Sequence, residues 1–223
     1  MTNEWDDLAD WWREELETDP TYVEVVVPLL LAMLDTRTGT VLDVGCGNGR
    51  IMGELALAGL EPVGCDINSS LLAEAAKFGP VMRVELPGLP IRPASIDGAV
   101  VVLSFEHLGN EIFSELAGVI RPGGWLVAVA NHPFVTAPDS ASVIDPTDGE
   151  VFWRPGTYLD AGSSIEDANG QPVTFLHRPI GEFLTTAATA GFSLTELREV
   201  PFETGGFPDA GLPRLIGVRW ARQ

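Results

Sequence analysis

The sequence predicts an α/β fold in which helices cover both faces of a mostly parallel sheet. Unbroken apolar runs, such as the one from Trp125 to Ala130, alternate with helical patterns, which is typical of strands buried on both faces. A glycine-rich turn follows the apolar run that begins at Val41, as where a strand passes into a helix. The connection between the last two strands, 192–201 and 214–221, is turn-rich and lacks room for a crossover helix. This pair should therefore be antiparallel.

The turn after the first strand indicates a ligand site. Residues 41–50 read Val-Leu-Asp-Val-Gly-Cys-Gly-Asn-Gly-Arg, so three glycines alternate with other residues. Glycines remove side chains from such a turn, and a ligand can then lie against the backbone near the helix N-terminus. A dinucleotide fingerprint needs its third glycine at the sixth position, where this chain has Arg50. The spacing therefore argues against an NAD-dependent dehydrogenase.

A second strand predicts an acidic anchor. After a helical segment that closes at Gly59, residues 61–67 form a short apolar strand that ends at Asp66. Asp66 lies 21 positions after Gly45, close to the interval at which Rossmann-like folds place an acid on a ribose. The alternative is that Asp66 caps the next helix, although Asn68 can do so instead.

The order of these elements resembles that of the class I S-adenosylmethionine-dependent methyltransferases. Asp43-Val-Gly-Cys-Gly-Asn-Gly49 is similar to motif I of that family, the Leu-Pro run within 81–90 has a counterpart there, and Arg121-Pro-Gly-Gly resembles its lead into the fifth strand. The resemblance covers residues 36–131. It implies a Rossmann-like three-layer sandwich, a seven-stranded, mostly parallel sheet with an antiparallel final hairpin, and S-adenosyl-L-methionine as cofactor.

The resemblance also implies which residues hold that cofactor. Glu85 aligns with the acid that bonds the adenine amino group, although the family more often has Asp-Ala where this chain has Glu85-Leu86. The alternative for Glu85 is a solvated surface acid. The implied cofactor residues are Asp43, Gly45, Cys46, Gly47, Gly49, Asp66, Ile67, Glu85, Leu86 and Ser104.

The remaining segments suggest covers for an acceptor within one methyltransferase domain of residues 1–223. Residues 1–35 read as N-terminal helices, 36–131 as the cofactor-binding core, 132–175 as an inserted, irregular lid and 176–223 as a C-terminal helix and hairpin. An aromatic stripe at helical spacing is more often core than ligand contact. The candidate substrate contacts are nevertheless Trp12, Tyr22, Trp153 and His177, the last opening the helix that Pro179 begins.

The three histidines are the candidate proton acceptors. His107 follows the predicted fourth strand and His132 the fifth, so both should lie at the ligand edge of the sheet, whereas His177 follows the inserted segment. Positioning alone is the alternative, because methyl transfer from a sulfonium mainly needs a nucleophile held near the methyl carbon.

Composition narrows the partners. The 223 residues carry a formal charge of −19, which disfavours nucleic acid and anionic membranes. No segment approaches the ~20 apolar residues of a membrane helix and the start lacks a signal-peptide pattern, so we expect a cytoplasmic protein. Cys46 and Cys65 read as buried thiols, and no spacing of His, Cys and acids predicts a metal site. The oligomeric state stays open.

The predicted function is methyl transfer from S-adenosylmethionine to a small organic acceptor. Two alternatives remain from the sequence. One is a non-catalytic module that binds S-adenosylmethionine and acts through a partner. The other is a protein methyltransferase, because an acidic chain suits a basic protein substrate.

Overall fold

The computed structural model describes residues 20–168, 171–201 and 211–223. Trp12 and the helix predicted around it lie outside the described residues. The helices are α1 (Val27–Leu34), α2 (Arg50–Leu57), α3 (Ser69–Ala75), α4 (Ile112–Val119), α5 (Pro133–Thr136) and α6 (Ile180–Thr189), with a 3₁₀ turn at Phe105–His107. The strands are β1 (Gly39–Val44), β2 (Leu60–Asp66), β3 (Val81–Arg83), β4 (Ile96–Val102), β5 (Ile120–Asn131), β6 (Ala141–Ile144), β7 (Val151–Arg154), β8 (Gly162–Ala168), β9 (Gln171–His177), β10 (Phe192–Pro201) and β11 (Pro213–Arg222).

Seven strands form one sheet in the order β10-β11-β5-β4-β1-β2-β3. The five strands from β5 to β3 pair in parallel, and β11 is antiparallel to both β5 and β10. The predicted fold class and final hairpin are thus confirmed. The chain proceeds outward from β1 to β3 and then returns to β4 on the other side of β1. Ligands bind at such a reversal, beyond the carboxyl ends of the strands.

Alternating side chains of the central strands divide the core between the two faces of the sheet. Leu42 and Val101 belong to a cluster that includes α4 and α6, whereas Val41 and Val100 belong to a cluster that includes α1 and α2. All four side chains are fully buried. Strands of this kind are apolar at every position because each face needs its own cover. The sheet therefore holds the carboxyl ends of β1, β2 and β4 rigidly side by side.

The predicted N-terminal helices include residues 22–34, which are helical but change from a π-helix to an α-helix just before Pro28. Tyr22–Val26 is a π-helical turn, and α1 begins directly after it with Pro28 in its first turn. Proline lacks the N–H that an α-helical bond to the preceding turn would use, so the change of type is expected there. Leu30 and Met33 of α1 are fully buried in the cluster with β5 and β11. This part of the predicted cover is a layer of the core.

The inserted segment, residues 132–175, is more regular than the sequence predicts. It contains α5 and two separate antiparallel pairs, β6–β7 and β8–β9, so the prediction of an irregular loop is wrong. The hydrophobic pattern of the sequence did not reveal these strands, because a two-stranded pair leaves one face in water. Ile144 is 65% exposed and Phe152 is 48% exposed.

Candidate functional site

A cavity of about 310 Å³ opens at the carboxyl edge of the sheet, at the reversal between β1 and β4. We call it the edge cavity. Loops that follow β1, β2, β3 and β4 meet there. Its lining residues are Gly45, Gly47, Cys65, Asp66, Ile67, Asn68, Leu71, Val84, Glu85, Leu86, Val102, Leu103, Ser104, His107 and Leu108. Seven of the ten predicted cofactor residues are in this set, and Asp43, Cys46 and Gly49 are not.

The glycine loop is held against β2 by its own backbone. Gly45 and Cys46 donate N–H bonds of 2.9 and 3.0 Å to the Cys65 carbonyl. Gly49 takes a left-handed φ of 83°, and a Cβ there would lie 2.7 Å from Ala75 Cα. Only glycine satisfies both the dihedral and the space. Glycine is therefore required at position 49 by the packing of α2 on α3. This residue does not line the edge cavity.

Asp66 joins the glycine loop to the loop after β2. Its Oδ2 accepts from Gly47 N and its Oδ1 accepts from Asn68 N, both at 2.8 Å. The helix that follows is capped by Asn68, whose side chain accepts from Ser70 N and Leu71 N. Burial raises the pKa of Asp66, and the backbone donors oppose that shift. Each carboxylate oxygen has a second acceptor position, so Asp66 is able to take two ligand hydroxyls.

Asp43 is the second acid of this region and is almost completely buried at the end of β1. Burial, together with the nearby negative charge of Asp66, raises its pKa to about 8. Its Oδ2 has no hydrogen-bond partner among the described residues. A buried carboxyl oxygen without a donor is costly in a folded protein. It is the kind of atom that a polar ligand group satisfies.

The other walls combine predicted and unpredicted residues. Ile67, Glu85 and Leu86 border the edge cavity, and Ser104 donates its hydroxyl to the Val44 carbonyl at 2.9 Å. Sequence reasoning missed Leu103, which has a left-handed φ of 50° at the end of β4. A bulky residue in that region is uncommon, and such strain clusters at functional sites. Only its position at a strand end pointed to it.

His107 is the predicted base that reaches the edge cavity. Its Nδ1 lies 3.0 Å from the Thr174 carbonyl, and its ring makes an edge contact with Phe175 at 5.0 Å between centroids. A carbonyl oxygen only accepts, so Nδ1 carries the hydrogen in the neutral ring. Two residues of β9 in the inserted segment thus set the tautomer and orientation of a histidine at the cavity.

Both ring nitrogens of His132 have partners within the protein, which does not favour its predicted role as a base. Its Nδ1 accepts from Phe134 N at 3.0 Å, where it caps α5, and its Nε2 donates to Glu199 Oε1 at 2.9 Å. Burial lowers the pKa of His132, although the bond to Glu199 opposes this. His132 follows the end of β5, as the sequence predicts. Its ring is buried, however, and both ring nitrogens form hydrogen bonds within the protein.

His177 is likewise a structural residue. It ends β9 instead of opening a helix, because α6 begins three residues later behind Pro179. The ring is 1% exposed, with Nε2 2.8 Å from the Tyr158 carbonyl and Nδ1 3.1 Å from Thr136 Oγ1. These contacts do not favour the predicted contact of His177 with substrate.

The two predicted aromatic contacts lie at different places. Tyr22 is buried under the Arg50 guanidinium, which stands 4.5 Å from its ring centroid, and burial raises the pKa of its hydroxyl. It does not line the edge cavity. Trp153 donates its indole N–H to the Phe134 carbonyl at 3.2 Å and borders a second cavity of about 300 Å³. A substrate contact by Trp153 therefore stays a prediction.

Thiol and metal chemistry find no support in the described ranges. Cys46 and Cys65 are buried free thiols, and burial raises the pKa of both, that of Cys65 to about 12. They are inert groups of the loop packing. Within the same ranges no three metal-binding side chains lie together, and no helix is long and apolar enough to cross a bilayer.

The edge cavity suits the nucleoside and amino-acid parts of S-adenosylmethionine. A Cβ on Gly45 would come within 2.9 Å of Ser104 Cβ, so the backbone approaches the cavity closely only because glycine stands there. Asp66 offers acceptors for ribose hydroxyls, Glu85 an acceptor on the far wall, and Asp43 an unsatisfied oxygen behind the loop. The volume is within the range of cofactor pockets.

Comparisons with known proteins agree with this geometry. A family model described as a methyltransferase domain matches residues 42–128. A ubiquinone biosynthesis O-methyltransferase from Bordetella bronchiseptica is 28% identical over 133 residues, which are 53% of this chain and 54% of that protein. An uncharacterized methyltransferase of Emericella nidulans is 24% identical and covers 83% of this chain and 74% of its own length. The chain spans about half the length of the ubiquinone enzymes that it matches.

A solved structure extends the likeness over the whole fold. The S-adenosylmethionine dependent methyltransferase from Mesorhizobium loti superposes with a TM-score of 0.77 at 26% identity and covers 93% of this chain and 100% of its own. Its name also gives the cofactor that the edge cavity fits. By its motif order, its sheet and these relatives, the chain is similar to the class I S-adenosylmethionine-dependent methyltransferases, and residues 42–128 match their methyltransferase domain.

Proposed function

We propose that the protein transfers a methyl group from S-adenosylmethionine to a hydroxyl oxygen of a small organic acceptor. The observation that carries this is His107, which borders the edge cavity with Nδ1–H directed at the Thr174 carbonyl. A hydroxyl is a poor nucleophile until it loses its proton, and a histidine with a defined tautomer is suited to remove it. The ubiquinone relatives, which are named O-methyltransferases, support oxygen as the acceptor atom.

When bound, S-adenosylmethionine supplies an activated methyl group on a sulfonium. The residues of this chain bind the cofactor, accept a proton and exclude water. Asp66 holds ribose hydroxyls, Glu85 the adenine amino group, and the backbone of Gly45 and Gly47 lies against the cofactor. His107 Nε2 takes the acceptor's proton. Apolar side chains such as Leu86, Leu103 and Leu108, which line the cavity, exclude water.

The choice of a small acceptor rests on charge and space. The formal charge of −19 opposes nucleic acid, and we propose that neither nucleic acid nor membrane is a partner and that the protein is cytoplasmic. We also propose that the inserted segment covers the acceptor within a single domain. The contacts of Thr174 and Phe175 with His107 support this, because they bring the segment to the rim of the edge cavity.

Labelled methyl transfer tests the function. Protein incubated with methyl-labelled S-adenosylmethionine and cell extract should place label in the small-molecule fraction and should do so more slowly when S-adenosylhomocysteine is added. Calorimetry should show binding of S-adenosylhomocysteine and no binding of NAD. Label found only in protein would favour the protein methyltransferase instead. Tight cofactor binding without transfer into any fraction would favour a non-catalytic binding module.

A further inference from the structure

The second cavity lies beyond the carboxyl end of β5, on the same edge of the sheet as the edge cavity. It encloses about 300 Å³. Its lining residues are Asn131, Val135, Thr136, Ser140, Trp153, Phe175 and Arg214. They come from β5, from the inserted segment and from β11, so this cavity exists only where three parts of the chain meet.

The lining of the second cavity combines aromatic side chains with a cation. Trp153 and Phe175 contribute ring surfaces, and Trp153 is fixed by its bond to the Phe134 carbonyl. Of the seven lining residues, Arg214 alone carries a charge. Its Nη1 donates to Asn131 Oδ1 at 2.5 Å, which holds the guanidinium at the end of β5. A guanidinium is suited to carboxylate and phenolate oxygens because it presents several fixed donors.

Phe175 connects the two cavities. Its ring borders the second cavity, and the same ring makes the edge contact with His107, which borders the edge cavity. A molecule held in the second cavity would therefore lie one side chain away from the proposed base. This juxtaposition places the second cavity where an acceptor could be held near His107.

We propose that the second cavity binds a planar, ring-containing acceptor with an anionic oxygen, such as an aromatic acid. The anionic group pairs with the Arg214 guanidinium and the ring packs between Trp153 and Phe175, with the reacting end directed past Phe175 toward His107. The acceptor role rests on the proposed function, whereas binding of an aromatic anion does not. Selection of an anion by a chain of formal charge −19 has to come from a local cation, and Arg214 supplies a positive charge among the described residues that line the cavity.

The binding test uses 2-naphthoate and its neutral analogue 2-naphthamide as probes, titrated by calorimetry into the full chain with and without S-adenosylhomocysteine. Naphthoate should bind at least 10-fold more tightly than naphthamide. Arg214→Gln should weaken naphthoate about 10- to 150-fold, since a hydrogen bond to a charged group is worth about 1.5–3 kcal/mol, and should leave naphthamide unchanged. Trp153→Leu should weaken both probes.

Two control variants separate local from general effects. Arg198→Gln removes the same charge from β10 outside the cavity and should leave naphthoate binding unchanged. Arg214→Lys keeps the charge and should recover part of the affinity. If Arg214→Gln fails to fold, the proposal is tested by the naphthoate affinity of Arg214→Lys and by the preference of the unmodified protein for naphthoate over naphthamide. Equal affinity for both probes, no naphthoate binding, or no effect of folded Arg214→Gln would overturn the proposal.

The S-adenosylhomocysteine titration distinguishes the two proposals. Cofactor binding without naphthoate binding overturns the acceptor site and leaves methyl transfer standing. Naphthoate binding that depends on Arg214, without any binding of S-adenosylhomocysteine, supports the anion site and overturns the proposed function.

Discussion

The glycine loop and the inserted segment meet at the same rim but are built in opposite ways. Residues 39–66 form strand, loop, helix and strand, and backbone hydrogen bonds join these elements within 27 residues of chain. Residues 132–175 form two isolated antiparallel pairs whose outer faces are exposed. The loop is a rigid place to bind, and the segment is attached through contacts such as that of Thr174 with His107. In the proposed function, the cofactor is therefore bound by one region and the acceptor by another, and the two regions differ in local stability.

Substitution of His107 tests the contact between the edge cavity and the inserted segment, which His107 makes with Thr174. His107→Gln removes the proton acceptor, and kcat should fall about 10²- to 10⁴-fold, as for loss of a general base. Affinity for S-adenosylhomocysteine, measured by calorimetry, should stay within a few-fold of the unmodified protein. An unchanged kcat would show that positioning alone is sufficient and that the inserted segment does not hold a base.

Asp66 tests the loop alone. Asp66→Ala removes two charge-assisted bonds to ribose and should cost about 2–4 kcal/mol of binding, or roughly 30- to 1,000-fold in affinity for S-adenosylhomocysteine. Because Asp66 also accepts from Gly47 N and Asn68 N, part of this loss should come from a loosened loop. Asp66→Asn keeps the shape and should lose less. Unchanged affinity in a folded Asp66→Ala protein would remove Asp66 from the site.

Gly49 and Gly59 separate dihedral strain from steric exclusion. Both have a left-handed φ, 83° and 86°, but a Cβ at Gly59 would meet nothing within 4 Å. Gly59→Ala should lower the free energy of unfolding by about 1–2 kcal/mol. Gly49→Ala should lower it by about 1–3 kcal/mol more, because its Cβ meets the Ala75 backbone. Denaturant titration measures both, and equal losses would mean that the packing of α2 on α3 adjusts easily.

Asp43 predicts a pH dependence of stability. Its pKa is raised to about 8 in the folded protein, so between an ordinary aspartate pKa of about 4 and that value the folded state holds a proton that the unfolded chain has lost. The contribution of Asp43 to stability is therefore present at low pH and declines as pH rises toward 8. Asp43→Asn should remove this decline. Unfolding titrations from pH 4 to 8 that have the same slope for both proteins would contradict the burial of the acid.

Hydrogen exchange compares the two regions directly, with the smallest perturbation. Two-stranded pairs are marginally stable alone, so amides of β6 and β7 should exchange well before those of Val41 to Val44, which lie in the middle of the sheet. Strand β9 should be slower than β6 because Val173 is buried and Thr174 contacts His107. Naphthoate together with S-adenosylhomocysteine should slow exchange in β6 to β9. Equal protection of β1 and β6 would remove the distinction between the regions.

The sequence alone determined the strands, the glycine loop and the position of Asp66 at a strand end, because these depend on residues close together in the chain. Apolar runs, glycine spacing and the interval to Asp66 are local, and local dihedral and hydrogen-bond preferences select one structure for them. Only the tertiary structure decided among the histidines. His107, His132 and His177 all lie at or just after the end of a strand. The Thr174 carbonyl holds the first at the edge cavity, whereas Phe134 and Glu199 bind the second and Tyr158 and Thr136 the third. Those partners lie up to 67 residues away, and a side chain's direction is set by what packs against it once the chain has folded.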